Sequence, residues 1–196
     1  MTETTVGVRT ATAGEVDRVV GPIVMGFAAD PLLRFFFPDP AAYLDAFPQL
    51  VRAVAAPAFE HGSAQCVETF VAGALWLPPG VEPDNASIGA LLERAIEPDR
   101  LRTVFGVVQE KANFHPHEPH WYLHMIGVDP RHQGQGHGSA LLSYALERID
   151  AEHLPAYLES TNLANVPLYE RHGFEVVATV EVDPAPPVFP MLRRAR

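Results

Sequence analysis

Residues 120–139 read HWYLHMIGVDPRHQGQGHGS. The first nine are aromatic or apolar and of strand length, and Asp129-Pro130 closes them with turn residues, so they form the central strand. After the glycines, Ala140, Leu141, Tyr144, Ala145, Leu146 and Ile149 recur at helical spacing up to Pro155. A strand therefore passes through a glycine-rich turn into a helix. Each glycine inside a helix costs about 0.5 to 1 kcal/mol against alanine, so Gly134, Gly136 and Gly138 must serve another purpose. Glycine permits close backbone approach, and successive N–H groups can converge on an anion at the positive end of the helix that follows. A pyrophosphate suits such a cradle.

Two phosphate-binding patterns fail here. A P-loop requires Gly-Lys-Ser/Thr, and no lysine follows these glycines. A dinucleotide fingerprint requires G-x-G-x-x-G, whereas from Gly134 the spacing is G-x-G-x-G and Ser139 stands in the third glycine's place. What remains is Q-x-x-G-x-G, here Gln133-Gly134-Gln135-Gly136-His137-Gly138. IGVDP precedes it, and N-x-x-x-x-P-L-Y-E-R-H-G-F follows from Asn162 to Phe174.

This order of motifs resembles the GNAT superfamily of N-acetyltransferases. Through FAADP, HPHEPHWYLHMIGV and YLESTNLANVPLYERHGFEV it is similar to the puromycin N-acetyltransferase group and related actinobacterial enzymes. The resemblance implies an α/β fold: a mixed, largely antiparallel twisted sheet with helices on both faces and a cleft where the central strands splay. It implies acetyl-CoA as cosubstrate, with Ile126, Gly127 and Val128 pairing with the pantetheine and Gly134 to Ser139 around the pyrophosphate, Gln133 leading in. It also implies Asn162 near the pantetheine and Tyr169 at the cofactor sulfur as general acid. For the base it offers His124 on the central strand or Glu159 on the adjoining one. Strand alternation predicts that Tyr122, His124 and Ile126 share a face. The expected reaction is acetyl transfer to a primary amine of a small molecule by direct attack. An alkyl ammonium with pKa near 10 must first lose a proton, at a cost of about 4 kcal/mol at pH 7. Acetylation of a protein or peptide, and a non-catalytic acyl-CoA sensor, are the alternatives.

Outward from this core, VGVRT reads as a strand and a helix begins near Glu15. PLLRFFFPDPAAYLDAFP, with its four prolines, reads as short helices walling a pocket. AQCVETF and VAGALWLP are adjacent strands, and helical stripes run from about Ile88 and again after Pro98. PAYLEST and FEVVATVEV are strands, with a short helix from Val166 to His172 between them. One domain over 1–196 is expected, with 1–119 mostly forming the acceptor pocket and 120–196 binding acetyl-CoA. The tail VDPAPPVFPMLRR either closes its own sheet or crosses to another subunit, which leaves monomer and homodimer open.

The composition bounds the function. A formal charge of −10 disfavours nucleic acid and favours a cationic partner. The single cysteine, Cys66, and an amino terminus without the basic start and apolar run of a secretory signal point to the cytoplasm. Every apolar run falls short of the roughly 20 residues that cross a bilayer. His115, His117, Glu118 and His120 crowd a proline-interrupted loop, but H-x-H between prolines matches no usual zinc spacing, so no metal is expected.

Overall fold

The computed structural model describes residues 6–196. Seven strands form one sheet in the order β1-β2-β3-β4-β5-β7-β6: β1 Val8–Thr10, β2 Ala64–Val67, β3 Ala72–Leu77, β4 Trp121–Val128, β5 Ala156–Ser160, β6 Glu175–Val176 and β7 Phe189–Arg193. Neighbours are antiparallel except β4 and β5, which run parallel. The helices are α1 Val16–Phe27, α2 Pro31–Phe36, α3 Pro40–Glu60, α4 Asn85–Ala95, α5 Pro98–Ala112, α6 His137–Ala151 and α7 Val166–Arg171. Side chains of α1, α3 and α4 build the core on one sheet face, and those of α6 and α7 build the core on the other.

The proline-rich segment differs from its sequence reading. Asp30 and Asp39 cap α2 and α3, each with proline at the first helical position, where a missing N–H costs nothing. Yet α3 then runs on through Pro48 and Pro57 for 21 residues. An interior proline costs about 3 kcal/mol. Against that, Tyr43, Phe47, Leu50, Val51 and Val54 are all buried on this helix, each large apolar side chain contributing about 1.5 to 3 kcal/mol, so burial wins. Of Arg34 to Phe37, Arg34 donates to the Pro38 carbonyl and Phe37 is buried in the core, so this run packs the helices together.

FEVVATVEV also pairs less than its alternation predicts. Only Glu175 and Val176 join β7, followed by one isolated bridge from Val180 to Val188. The Val177 N–H donates to the Pro190 carbonyl, and Pro190 has no N–H to return, so the ladder stops there. The tail itself closes the chain's own sheet, with β7 inserted between β5 and β6.

Strand β4 carries the feature that shapes the cleft. Leu75 faces Met125 and Trp76 faces Leu123, so His124 is an extra residue with no partner on β3. This bulge breaks the alternation. Tyr122 and Met125 pack toward α1 and α3, whereas Leu123, Ile126 and Val128 pack toward α6. Tyr122 and Ile126 thus lie on opposite faces, contrary to the alternation reading. Beyond the bulge, α1 meets β4 backbone to backbone: a Cβ on Gly127 would sit 2.5 Å from the Ile23 Cα, and one on Gly26 would sit 3.0 Å from the Val128 nitrogen. Glycine at both positions lets the helix seat directly on the strand.

Candidate active site

Strands β4 and β5 pair only at Trp121–Ala156, Tyr122–Tyr157 and Leu123–Leu158. Past that point β5 keeps β7 as neighbour and β4 keeps β3, so the two parallel strands splay. A cleft of about 620 Å³ opens between them. Its walls are β4 from Leu123 to Val128, the glycine turn, the end of β5 with Thr161 and Asn162, and Tyr169 of α7. The end of α1 and the residues up to Asp30 close the other side.

Toward one end the cleft suits an elongated anion. Gly134 and Gly136 adopt φ of 73° and 85°, and an added Cβ at either would meet nothing within 4 Å. The turn therefore exposes backbone rather than side chains. Gly136 is the N-cap of α6 and supplies no side-chain cap, so the first-turn N–H groups of His137, Gly138 and Ser139 face the opening, where helix N-termini attract negative charge. His137 lines this part of the cleft, and its Nδ1 is buried without a hydrogen-bond partner among the described residues. Arg171 and His132 line it too. Several sequence-predicted side chains here brace the loop. Gln133 donates to the Val128 carbonyl (3.2 Å), Ser139 Oγ lies 3.0 Å from His172 Nε2, and Asn162 Oδ1 accepts from the Ala164 N–H (3.0 Å). Gln135 is exposed, with its amide 3.5 Å from the Arg131 carbonyl and outside the cleft wall.

At the other end, Ile126, Gly127 and Val128 line the cleft, and β5 gives no partner to this edge of β4. An extended amide-bearing chain fits such an unpaired edge as a strand would. Tyr169 is 6% exposed and lines the same cleft. Burial, and then the nearby Asp30 carboxyl, push its phenol above the usual tyrosine range, so it remains a proton donor throughout neutral pH.

His124 and Glu159 both reach the cleft wall. Burial, and then the Lys111 ammonium, lower His124 to about 4, so its imidazole is neutral at physiological pH. Glu159 is more tightly held. Burial alone would raise its pKa, but Lys111 Nζ at 2.8 Å, His115 and the Tyr122 hydroxyl at 2.5 Å together hold the carboxyl well below the usual carboxylate range. The Tyr157 hydroxyl donates to its other oxygen (3.3 Å). Glu159 is thus a fixed anion rather than a proton acceptor tuned to neutrality.

Sequence reasoning missed Lys111, Tyr157, Asp30 and Thr161. Asp30 Oδ1 caps α2 while Oδ2 accepts from the Thr161 hydroxyl at 2.6 Å, tying the start of α2 to the end of β5. Two local signals existed: Asp-Pro marks a helix start, and Tyr157 stands two residues from Glu159 on a strand. Lys111 is the only lysine in the chain, but nothing local pointed it at a glutamate 48 residues away. Among the described residues no cluster of three or more side chains fits a metal ion, and no helix is long and apolar enough to cross a membrane.

A sheet split between parallel strands, with a glycine turn opening a helix at the split, defines an α/β architecture with an open cleft between its central strands. Residues 84–174 match the model of the Acetyltransferase (GNAT) family. A mycothiol acetyltransferase of Propionibacterium freudenreichii is 34% identical over 93 residues, covering 45% of this chain and 30% of that protein. The chain spans less than a third of the length of the curated relatives it matches. A solved structure from Corynebacterium glutamicum, described as histone acetyltransferase HPA2 and related acetyltransferase, superposes with a TM-score of 0.72 at 24% identity over 98% of both chains. The polyamine N-acetyltransferase of Drosophila melanogaster gives 0.65 at 17% identity, over 96% of this chain and 99% of that one. These likenesses show that the fold is the GNAT fold.

Proposed function

We propose that the protein transfers an acetyl group from acetyl-CoA to a primary amine of a small molecule. The observation that carries this reading is the continuity of the cleft: an anion-binding helix start, an unpaired strand edge and a buried phenol follow one another along one groove. In this reading the first-turn N–H groups of α6 hold the pyrophosphate, and the free edge of β4 from Met125 to Val128 holds the pantetheine. When bound, the thioester supplies the activated acetyl group. The walls from Gly26 to Asp30, with Glu159, His124 and Thr161, border the space left for the acceptor. The split between an acceptor side and a cofactor side therefore follows the cleft rather than a single point in the sequence, since β5 contributes to both.

The chemistry follows from the charges. Glu159 attracts an ammonium group, and neutral His124 accepts a hydrogen bond from it. The cleft orients the amine once it is neutral, and backbone N–H groups stabilise the oxyanion that forms on attack. Tyr169 donates its proton to the departing sulfur. Names such as mycothiol acetyltransferase and polyamine N-acetyltransferase agree with a small amine-bearing acceptor and do not select one.

The test is CoA-thiol release from acetyl-CoA across aliphatic diamines, amino sugars, arylalkylamines, puromycin and a lysine peptide. Turnover with a small amine supports the reading, preference for the peptide moves the acceptor to proteins, and tight binding without turnover leaves a sensor. The cradle has its own check. Gly136→Val must place a β-branched residue at φ 85°, a strain of about 1 to 3 kcal/mol, and must project a side chain into the groove. We expect CoA affinity measured by calorimetry to fall at least about tenfold, equivalent to about 1.4 kcal/mol, in a protein that still melts cooperatively. Unchanged affinity would count against the cradle.

A further inference from the structure

A second cavity, of about 260 Å³, lies between α6 and the sheet and shares no lining residue with the cleft. Gln65 of β2, Trp76 of β3 and Trp121 of β4 line it from the sheet, and Tyr144, Ala145 and Arg148 line it from the helix. Ala74, the partner of Gln65 across the ladder, stands two residues from Trp76 on β3, so the Gln65 and Trp76 side chains share the face beneath α6.

Both of these side chains bury a polar atom that nothing answers. Gln65 is 6% exposed and Trp76 is 1% exposed, and neither Gln65 Oε1 nor Trp76 Nε1 has a hydrogen-bond partner among the described residues. The other tryptophan differs: Trp121 Nε1 donates to Glu152 at 2.7 Å, and Arg148, which lies 4.7 Å over the Trp121 ring, donates to the same glutamate. A buried polar group left unpaired destabilises the fold, and native proteins carry few of them. Packing alone gives no reason for glutamine at position 65, since leucine fills a similar volume without that cost.

The chemistry of the pair selects an occupant. Gln65 Oε1 accepts and Trp76 Nε1–H donates, so the occupant needs a donor and an acceptor side by side, which a primary carboxamide carries on one planar group. Turned over, the Gln65 amide would bury an N–H group instead, and the carbonyl of the same carboxamide would accept it. Glu147 and Arg148 are exposed and so lie at the mouth, which leaves the buried end neutral. An ion there would lose its water and gain no counter-charge. Two indoles and a phenol supply ring surface, and the volume falls just under the roughly 300 to 1,000 Å³ of pockets for drug-sized ligands, which suits one ring with its amide.

We propose that this cavity binds a small uncharged aromatic carboxamide, with its amide held by Gln65 and Trp76 and its ring among Trp121 and Tyr144. Both polar atoms are covered by their neighbours, so the occupant reaches them as the side chains shift, and the last torsion of a glutamine is broad. The site needs neither acetyl-CoA nor turnover and stands whether or not the acetyl-transfer reading does.

The chain has two tryptophans and both line this cavity, so intrinsic tryptophan fluorescence reports on it. Benzamide is titrated into the wild-type protein, beside benzoate and toluene, which keep the ring and replace the amide with a charge or a methyl group. We expect a saturable change with benzamide and affinities at least about tenfold weaker for the other two. In Gln65→Leu, benzamide affinity should fall at least about tenfold while the melting temperature holds or rises, because an unpaired polar atom has gone. A glutamine that served only the fold would lower the melting temperature when lost. No saturable change with benzamide means that the cavity holds water only, and it overturns the proposal. Toluene or benzoate binding as tightly as benzamide overturns it too, as does undiminished affinity in Gln65→Leu. Should the variant not fold, the three titrations of the wild type decide by themselves.

Discussion

Tyr169→Phe lowers kcat by about a hundredfold to ten-thousandfold, the usual contribution of a positioned general acid, and leaves acetyl-CoA affinity nearly unchanged. The change removes one oxygen from a side chain that is 6% exposed and packed edge-on against Phe174 at 6.2 Å, and it keeps the ring. No hydrogen bond to the Tyr169 hydroxyl occurs among the described residues, so folding loses little when that oxygen goes. If the hydroxyl serves only to pack α7 on the sheet, kcat stays within a factor of a few and the assignment is wrong. The pH profile gives a second reading. Because burial and the field of Asp30 raise this phenol, its ionisation sets no alkaline limb below about pH 10.

Lys111→Met is expected to cost about 3 kcal/mol of stability. It leaves the Glu159 carboxylate, 7% exposed, without its ammonium partner. Lys111 is itself 26% exposed, so solvent screens part of the pair and the low end of the range for a broken buried pair applies. The sign with pH follows from the folded-state shift. Glu159 is depressed, so its contribution is present above the unfolded value near 4.3 and is lost as pH falls through the lower folded value. The gap between wild type and variant should therefore be largest near neutrality and narrow in acid, where the variant's glutamate takes up a proton and no longer needs a cation. Urea unfolding at several pH values measures this. The double variant Lys111→Met with Glu159→Gln should regain most of the lost stability, since it buries no unpaired charge; if it is no better than Lys111→Met alone, the ion pair is not the cause.

Strand β4, the glycine turn, α6 and α7 were all legible in the sequence, because hydrophobic period and glycine spacing are local signals. The position of Tyr169 on a short helix ended by Gly173 was legible for the same reason, although its role came from resemblance. The bulge at His124 left no trace. HWYLHMIGV is an unbroken aromatic and apolar run, and only the partner strand reveals that one residue has been skipped. The length of α3 was hidden because proline chemistry is local while the burial that overrides it is tertiary. The setting of Glu159 was hidden more deeply: Lys111 and His115 come to it from far away in sequence, Tyr122 comes from the neighbouring strand, and its own pentapeptide, YLEST, says nothing of a buried cation.

The splay between β4 and β5 gives the sheet an inner border as well as its two outer ones. A row of unsatisfied backbone groups at an outer border invites any passing extended chain to add itself, with self-association as the hazard. Here that row lies at the bottom of a groove between the end of α1 and the start of α6. A passing chain must enter that groove before it can pair, so an edge that would be a liability on the outside is shielded here by the walls around it.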